Sequence, residues 1–354
     1  MKKRVIGSVL AAAVSLSAVF GTCAVSATES KDLTTVNLAY NPNTGSILSF
    51  IAIDEGFAEE EGLELNLQTF DNSTDALTAV SAGKSDVGIN FGTAAPLSFI
   101  SNGGDLTIFG GYVMGGMPVY ANADFEYKDL SSFVGKTVAV PRMYTPDLIW
   151  RQAMIEAGYD LEKDVKIVEF KKPSEVLAAV QAKKVDVGVG TNSTYMKAVE
   201  SGLKILTWTN ELEPDAVCCR QVANTKWFKE NPEIAEKYTR TLIKAEKFLN
   251  EKPEESVKIF QKYMEMEEKD AKTLLLDTYQ NFESDPNSDG VLAMWDTMCK
   301  IDYVENKDTD VKSHIDIATY KAAMDSIIAE NPDDKFYSGL TERYENWNKE
   351  MLKQ

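Results

Sequence analysis

Residues 76–90 read ALTAVSAGKSDVGIN and residues 176–190 read VLAAVQAKKVDVGVG, a repeat at a spacing of one hundred residues. Eight of the fifteen positions are identical: Leu77/Leu177, Ala79/Ala179, Val80/Val180, Ala82/Ala182, Lys84/Lys184, Asp86/Asp186, Val87/Val187 and Gly88/Gly188. The correspondence runs upstream without a gap, through Leu65, Leu67 and Phe70 against Val165, Ile167 and Phe170, to Ala39 against Ala139. Stacked solenoid repeats have periods of about 20–50 residues, so a period this long marks duplicated, domain-sized units. They lie near 35–110 and 135–210. Whatever this chain folds into must be buildable twice.

In the first unit the pattern predicts strands at Val36–Tyr40, Leu63–Phe70 and Asp86–Asn90, with helices over Ser46–Glu60 and Ser73–Ala82. Helices alternating with short apolar strands call for a parallel sheet covered on both faces. The loops after Asp86-Val87-Gly88 and Asp186-Val187-Gly188 are rich in Gly, Thr and Asn. They fall at strand carboxyl ends, where open α/β sheets take their ligands. Two segments, Gly110–Pro118 and Asn210–Pro214, read as crossings between the units. A chain that crosses and returns leaves a cleft with a two-strand hinge, expected to close about 110–118 and 208–217. Beyond about residue 225 the sequence reads helical, over Pro232–Asn250, Pro253–Met264, Glu268–Tyr279, Asp289–Ile301 and Ile317–Asn331. The expected fold is α/β, with two doubly wound lobes joined by a two-strand hinge and a helical C-terminal extension. Residues 33–116 with 217–354 form one expected lobe, and 117–216 the other.

Composition narrows the function. With 37 Lys+Arg against 55 Asp+Glu, the 354-residue chain carries a formal charge of −18. Nucleic-acid binding needs the opposite balance and is not expected. One His (His314) and four Cys (23, 218, 219 and 299) exclude most zinc frameworks and a disulfide scaffold, so neither metal nor cofactor is expected. Lys2, Lys3 and Arg4, the apolar run Val5–Phe20 and the small residues Val25-Ser26-Ala27 make an export signal over residues 1–27. A rival reading makes Cys23 a lipid acceptor, although Thr22 is larger than the Gly or Ala such signals prefer. The protein is therefore expected outside the cytoplasm, periplasmic or at the cell surface, with anchoring through Cys23 left open. Removing residues 1–27 takes the charge to −21 and leaves three Cys, so at least one thiol cannot pair within the chain. Cys218 and Cys219 sit in the strand-like run Ala216–Val222 and read as buried small side chains.

Ala52-Ile53-Asp54-Glu55-Gly56-Phe57, then Glu61-Gly62-Leu63-Glu64-Leu65, then Ala82-Gly83-Lys84-Ser85-Asp86-Val87-Gly88 follow in an order that resembles a known family. Val134-Gly135-Lys136-Thr137-Val138-Ala139-Val140 continues it. These residues resemble the extracytoplasmic substrate-binding proteins of ABC importers for nitrate, sulfonates, taurine and thiamine-pyrimidine precursors. The resemblance covers nearly all of 35–330. It implies a type II periplasmic-binding fold, strand order two-one-three-crossover-four in each lobe, and a monomer. It also implies delivery of a small ligand to a membrane permease with its own ATPase.

The family's habit of binding on loops after strands one and three then points to four loops. They contain Tyr40, Asn43 and Thr44; Asn90, Gly92 and Thr93; Arg142, Tyr144 and Thr145; and Thr191 and Asn192. Thr44, Thr93, Thr145 and Ser193 each precede a helical run, where they either cap a helix or present N–H and hydroxyl donors to a polar group. Arg142 is the sole cation in the four loops, expected as a counter-charge for one anionic group or as a surface residue. Tyr40, Phe91, Tyr144 and Trp208 offer faces to a flat ring or pack the lobe cores. The expected ligand is small, polar, and nitrogen-containing or weakly anionic.

Two other signals carry less. Asp285-Pro286-Asn287-Ser288-Asp289-Gly290 opens like a calcium loop with Asp296 at its twelfth position, but Pro286 is awkward there and Asp289 serves equally as the cap of a helix at Val291–Cys299. An enzyme is the rival class, because thiamine-pyrimidine synthases resemble this fold, and a ligand-sensing module for a membrane receptor is a third. Those carry an active-site His and a cysteine-rich motif. Here His314 lies outside the repeats, and neither a Gly-x-Ser-x-Gly elbow nor a phosphate loop occurs.

Overall fold

A computed structural model describes residues 32–353; the export signal 1–27 and Cys23 lie outside them. Eleven strands form two sheets: β1 (Thr34–Tyr40), β2 (Leu63–Thr69), β3 (Val87–Gly92), β4 (Leu106–Gly115), β5 (Pro118–Ala121), β6 (Thr137–Pro141), β7 (Lys166–Phe170), β8 (Val187–Val189), β9 (Lys204–Trp208), β10 (Val217–Asn224) and β11 (Gln280–Phe282). The first sheet has the order β11-β4-β10-β3-β1-β2 and the second β7-β6-β8-β5-β9. In each, two strands flank the unit's first strand in parallel, and a strand from the other half of the chain enters antiparallel beside the third. This is the two-one-three-crossover-four order, built twice.

The repeated residues do the same work in both sheets. Asp86 accepts a hydrogen bond at Oδ2 from the Asn37 backbone N–H (2.8 Å), and Asp186 accepts one from that of Thr137 (2.8 Å). Each carboxylate thus ties the entry of its own strand to the neighbouring first strand, at mid-β1 in one sheet and at the start of β6 in the other. Ala39 registers with Gly88 and Ala139 with Gly188. A Cβ on either glycine would press on the helix above, 3.2 Å from Val80 or 2.8 Å from Val180. Small residues at these points let the helices Ser73–Ser81 and Pro173–Gln181 settle onto their sheets.

The expected helix over 46–60 is broken at Gly56, whose φ of +74° ends the turn begun at Ile47–Asp54 before a second one at Phe57–Glu60. The first crossing is shorter than expected. Gly110 and Gly111 belong to β4 itself, and only Gly116 and Met117 separate β4 from β5. Side chains explain the two strand glycines: a Cβ at Gly111 would collide with Arg220, Glu283 and the Asp285 carbonyl. The C-terminal helix Pro232–Glu251 packs on the helix Ile47–Asp54, and Ala318–Glu330 packs on Pro232–Glu251 and on β4. The helix Ser288–Lys300 reaches further, onto Thr145–Glu156, which begins at the end of β6. No helix among the described residues is long and apolar enough to cross a membrane.

The first sheet holds a buried ion pair two residues along β10 from Cys218. Arg220 and Glu283 have no exposed side-chain surface and meet at 2.8 Å. The guanidinium also donates to the carbonyls of Asp285 (2.9 Å), Pro286 (3.2 Å) and Val113 (3.4 Å). The segment 285–289 is a capping device. Asp285 accepts from the Asn287 N–H and the Asn348 amide, Asn287 caps the helix Ser288–Lys300, and Asp289 accepts from the N–H groups of Lys349 and Glu350. Asp289 therefore caps a different helix from the one its sequence position suggests.

Two outcomes are expected. Glu283→Ala strands the Arg220 charge in the interior, so urea unfolding should show a loss of about 3–5 kcal/mol, and the pair replacement R220M/E283M should recover part of it. On the returning crossing, burial, the Glu156 carboxyl beside it and Asp215 push Glu213 up to about 7. The folded chain holds a proton that the unfolded chain releases near pH 4.3. The contribution is thus complete below that pH and lost as pH rises through 7. Melting curves from pH 5 to 7.5 should fall for the wild type and flatten in Glu213→Gln.

Candidate functional site

The loops after β1, β3, β6 and β8 meet along one seam between the sheets. At its centre is the carbonyl of Cys218 on β10, which accepts from the Thr93 N–H (2.7 Å), the Thr93 hydroxyl (2.8 Å) and the Thr145 hydroxyl (3.4 Å). One backbone oxygen thereby holds a loop of each sheet. Gly92 makes room for this meeting, since a Cβ there would lie 2.7 Å from Thr145 Oγ1. A second bridge runs through the C-terminal segment. Thr44 Oγ1 donates to Gln280 Oε1 (2.7 Å), Gln280 Nε2 donates to Thr278 Oγ1 (2.8 Å), and Asn192 Nδ2 donates to the same Thr278 oxygen (3.2 Å) and to the Gly116 carbonyl (3.4 Å).

Asn90 stands between these bridges with φ +58°, an uncommon left-handed conformation for a residue other than glycine. Its Nδ2 donates to the Asn41 carbonyl (2.9 Å) and to Ser46 Oγ. Its Oδ1 is buried and takes no hydrogen bond from the protein. A buried acceptor without a donor costs free energy on the order of 1–3 kcal/mol. A ligand donor could supply what the chain withholds.

Several expected roles change. Thr93 is helical in conformation and bonds to Cys218 instead of capping its helix. Asn43, not Thr44, caps the turn Thr44–Ser46, accepting from the Gly45 N–H (2.8 Å). Thr191 rather than Ser193 stands at the start of the helix Asn192–Glu200, its hydroxyl sharing a hydrogen bond with Ser193 (2.9 Å). Tyr40 is buried with its ring edge-on to Phe50, Phe91 is a core residue, and Tyr144 is largely exposed. Trp208 packs between Tyr195 and Tyr279 at 5.2 and 5.3 Å.

Arg142 is not a free counter-charge. Its Nη1 meets Glu169 Oε2 at 2.6 Å, and its guanidinium lies 4.5 Å from the centre of the Tyr303 ring. Glu169 Oε1 also accepts from Arg151 (2.8 Å) and from the Tyr303 hydroxyl (3.0 Å), while Asp147 accepts from Arg151 (2.6 Å) and Tyr303 (2.8 Å). Burial works against the Glu169 carboxylate, but Arg142, Tyr303 and Arg151 outweigh it and hold its pKa below the ordinary carboxylate range. Tyr303, from the chain after the helix Ser288–Lys300, is thereby clasped by four charged residues of the second repeat.

Sequence reasoning missed Ser46, Cys218, Thr278, Gln280 and Tyr303. None lies in the repeated motif except as a neighbour, and Gln280 falls just past an expected helix. The Arg–Glu spacing of 142 and 169 becomes a pair only because β6 and β7 are adjacent.

Two sheets of this order, crossed twice by the chain, with strand-end loops converging between them, define a two-lobed periplasmic-binding fold. The chain belongs to the NMT1-like family, whose sequence profile matches residues 29–262. The periplasmic aliphatic sulphonate binding protein SsuA of Escherichia coli has the same fold, with TM-score 0.68 at 18% identity over 81% of this chain and 99% of that one. The nitrate-binding protein NrtA of Synechocystis PCC 6803 gives 0.67 at 14% over 83% and 89%. A formylaminopyrimidine-binding protein of Halalkalibacterium halodurans is 23% identical over 239 residues, 65% of this chain and 70% of that one.

Tyr303→Phe removes a donor shared by two carboxylates, one of them, Asp147, fully buried. It should cost about 1–3 kcal/mol in denaturant unfolding. Amide exchange should rise at the start of the helix Thr145–Glu156 and stay unchanged in β1–β3.

Proposed function

We propose that the chain is the extracytoplasmic solute-binding component of an ABC importer. It is exported, captures one small polar ligand between two lobes (33–116 with 217–354, and 117–216), and delivers it as a monomer to a membrane permease with its ATPase. The observation that carries this reading is the convergence of four strand-end loops on the Cys218 carbonyl and the Thr278 hydroxyl, in a chain of the NMT1-like family. The names of the similar proteins above, for sulphonate, nitrate and formylaminopyrimidine, support the ligand range. The lobes close about the two crossings, Gly116–Met117 and Glu213–Ala216. No chemistry is performed on the ligand. In keeping with that, His314 is taken up by the Leu106 carbonyl (2.8 Å), at the start of β4 and away from the seam.

Within that range, a neutral or donor-bearing nitrogen heterocycle suits the seam better than a dianion. Arg142 is already paired with Glu169, the unpartnered group at Asn90 is an acceptor, and the expected mature charge of −21 repels anions at long range. Asn43, Thr44, Thr191 and Asn192 supply the remaining amides and hydroxyls. Isothermal titration with formylaminopyrimidine, an alkanesulfonate and nitrate tests this. Saturable heat with the heterocycle, unchanged within about threefold by Arg142→Ala, is expected. A loss of about 1.5–3 kcal/mol in that variant would instead assign an ionised ligand to Arg142. Conversion of the bound compound would overturn the transport reading altogether.

A further inference from the structure

Adjacent residues of a regular strand project to opposite faces of the sheet. Cys218 and Cys219 break that rule. The register of β10 against β4 shifts between Val217 and Cys219 and again between Cys219 and Arg220, which makes a bulge at the pair. The two Sγ atoms lie 3.4 Å apart, both thiols free. We propose that Cys218 and Cys219 form a reversible vicinal disulfide, and that this ring controls the junction between the lobes.

The peptide that links the two cysteines is the one whose carbonyl receives Thr93 and Thr145. Closing an eight-membered ring through that peptide must turn it. The acceptor that joins the loop after β3 to the helix after β6 then moves. The ring is strained, because adjacent Cα atoms are about 3.8 Å apart, whereas disulfides usually span about 4.4–6.8 Å. Strain raises the reduction potential, which suits a labile bond better than a structural one.

The reaction balances with a small-molecule disulfide as oxidant. The Cys218 thiolate attacks it, forming a mixed disulfide and expelling one thiolate. The Cys219 thiolate then attacks the Cys218 sulfur and expels the second. The two protons lost by the protein end on the two released thiols. The Cys218 thiol is lowered by the hydrogen bond from Cys219, with Arg220 and Thr145 assisting, while the same partnership raises Cys219. That asymmetry suits Cys218, which is half-buried, to be the attacking group and Cys219, which is buried, to resolve.

The test treats the purified chain with oxidised glutathione and digests it with trypsin after blocking free thiols. The fragment Ile205–Arg220 holds both cysteines and no other. It should lose two hydrogens and escape the blocking reagent, and dithiothreitol should restore it. Cys219→Ser and Cys218→Ser should each fail to form the ring, the former stalling as a glutathione adduct at Cys218. In the oxidised wild type, amide exchange at Thr93 should quicken about tenfold, with a parallel rise at the start of the helix Thr145–Glu156. A fragment that stays fully blockable at high oxidant overturns the proposal. Ring formation with unchanged exchange overturns its control of the lobe junction.

Discussion

The buried Arg220 guanidinium is the point on which the arrangement of the molecule turns. It sits on the one strand that returns from the second sheet to the first, and it donates to Glu283 and to the carbonyls of Asp285 and Pro286. Those contacts fasten the C-terminal segment to the sheet. From there the chain runs back to Thr278 and Gln280 at the seam and forward to the helix Ser288–Lys300 and Tyr303. The segments on either side of the Arg220 contacts are thus the ones that reach the second repeat, at Thr278 and Tyr279 on one side and at Ser288–Lys300 and Tyr303 on the other. An isolated buried charge would be prohibitive, so Glu283 and the carbonyls are needed as a set. Gly111 completes it, because no side chain fits there beside the guanidinium, and Gly110 makes room in the same way for Gln221.

The fold was largely legible because its grammar is local and occurs twice. A small residue on the first strand, a glycine on the third, an Ala-rich helix above them and an Asp before the third strand specify one close-packed unit, and finding them again at a spacing of one hundred residues leaves little freedom. The helices of the C-terminal part were legible for a different reason. Their apolar stripes have the helical period, and Pro232 and Pro253 mark their starts. The stretch 110–118 misled because glycine is usually a sign of a turn. Here it records what lies across the sheet, which no local pattern encodes.

The site was legible only as a set of loops. Strand-end positions follow from topology, and Asn90, Thr93, Thr145 and Asn192 lie at or just after strand ends. What each side chain does depends on partners far away in sequence. Arg142 finds Glu169 across two adjacent strands, Thr44 finds Gln280, and Thr93 finds a backbone oxygen that has no sequence signature at all. The loop at 285–289 makes the same point in reverse. Its Asp and Asn residues match a cation loop in spacing, yet Asp285 Oδ1, Asn287 Oδ1 and both Asp289 oxygens are taken by N–H groups of Asn287, Gly290, Asn348, Lys349 and Glu350, which leaves only Asp285 Oδ2 without a partner among them. Spacing specifies which atoms could converge, and tertiary packing decides whether they do.

The strengths of the contacts across the seam differ in a way that bears on lobe motion. At the centre they are neutral and long: Thr145 to Cys218 at 3.4 Å, Asn192 to Thr278 at 3.2 Å and to Gly116 at 3.4 Å. Neutral hydrogen bonds contribute about 0.5–1.5 kcal/mol each, and long ones fall at the low end. Beside Tyr303 the contacts are charge-assisted, short and mostly buried, each worth roughly twice as much. A rigid-body motion of one sheet against the other would therefore break the central bonds before those of the Tyr303 cluster. A ligand shifts such an equilibrium only by its differential affinity for the two arrangements. Moving a one-to-ninety-nine population to its inverse takes about 5.5 kcal/mol. Weak central bonds keep that demand small, because little has to be broken there for the two sheets to move apart or together.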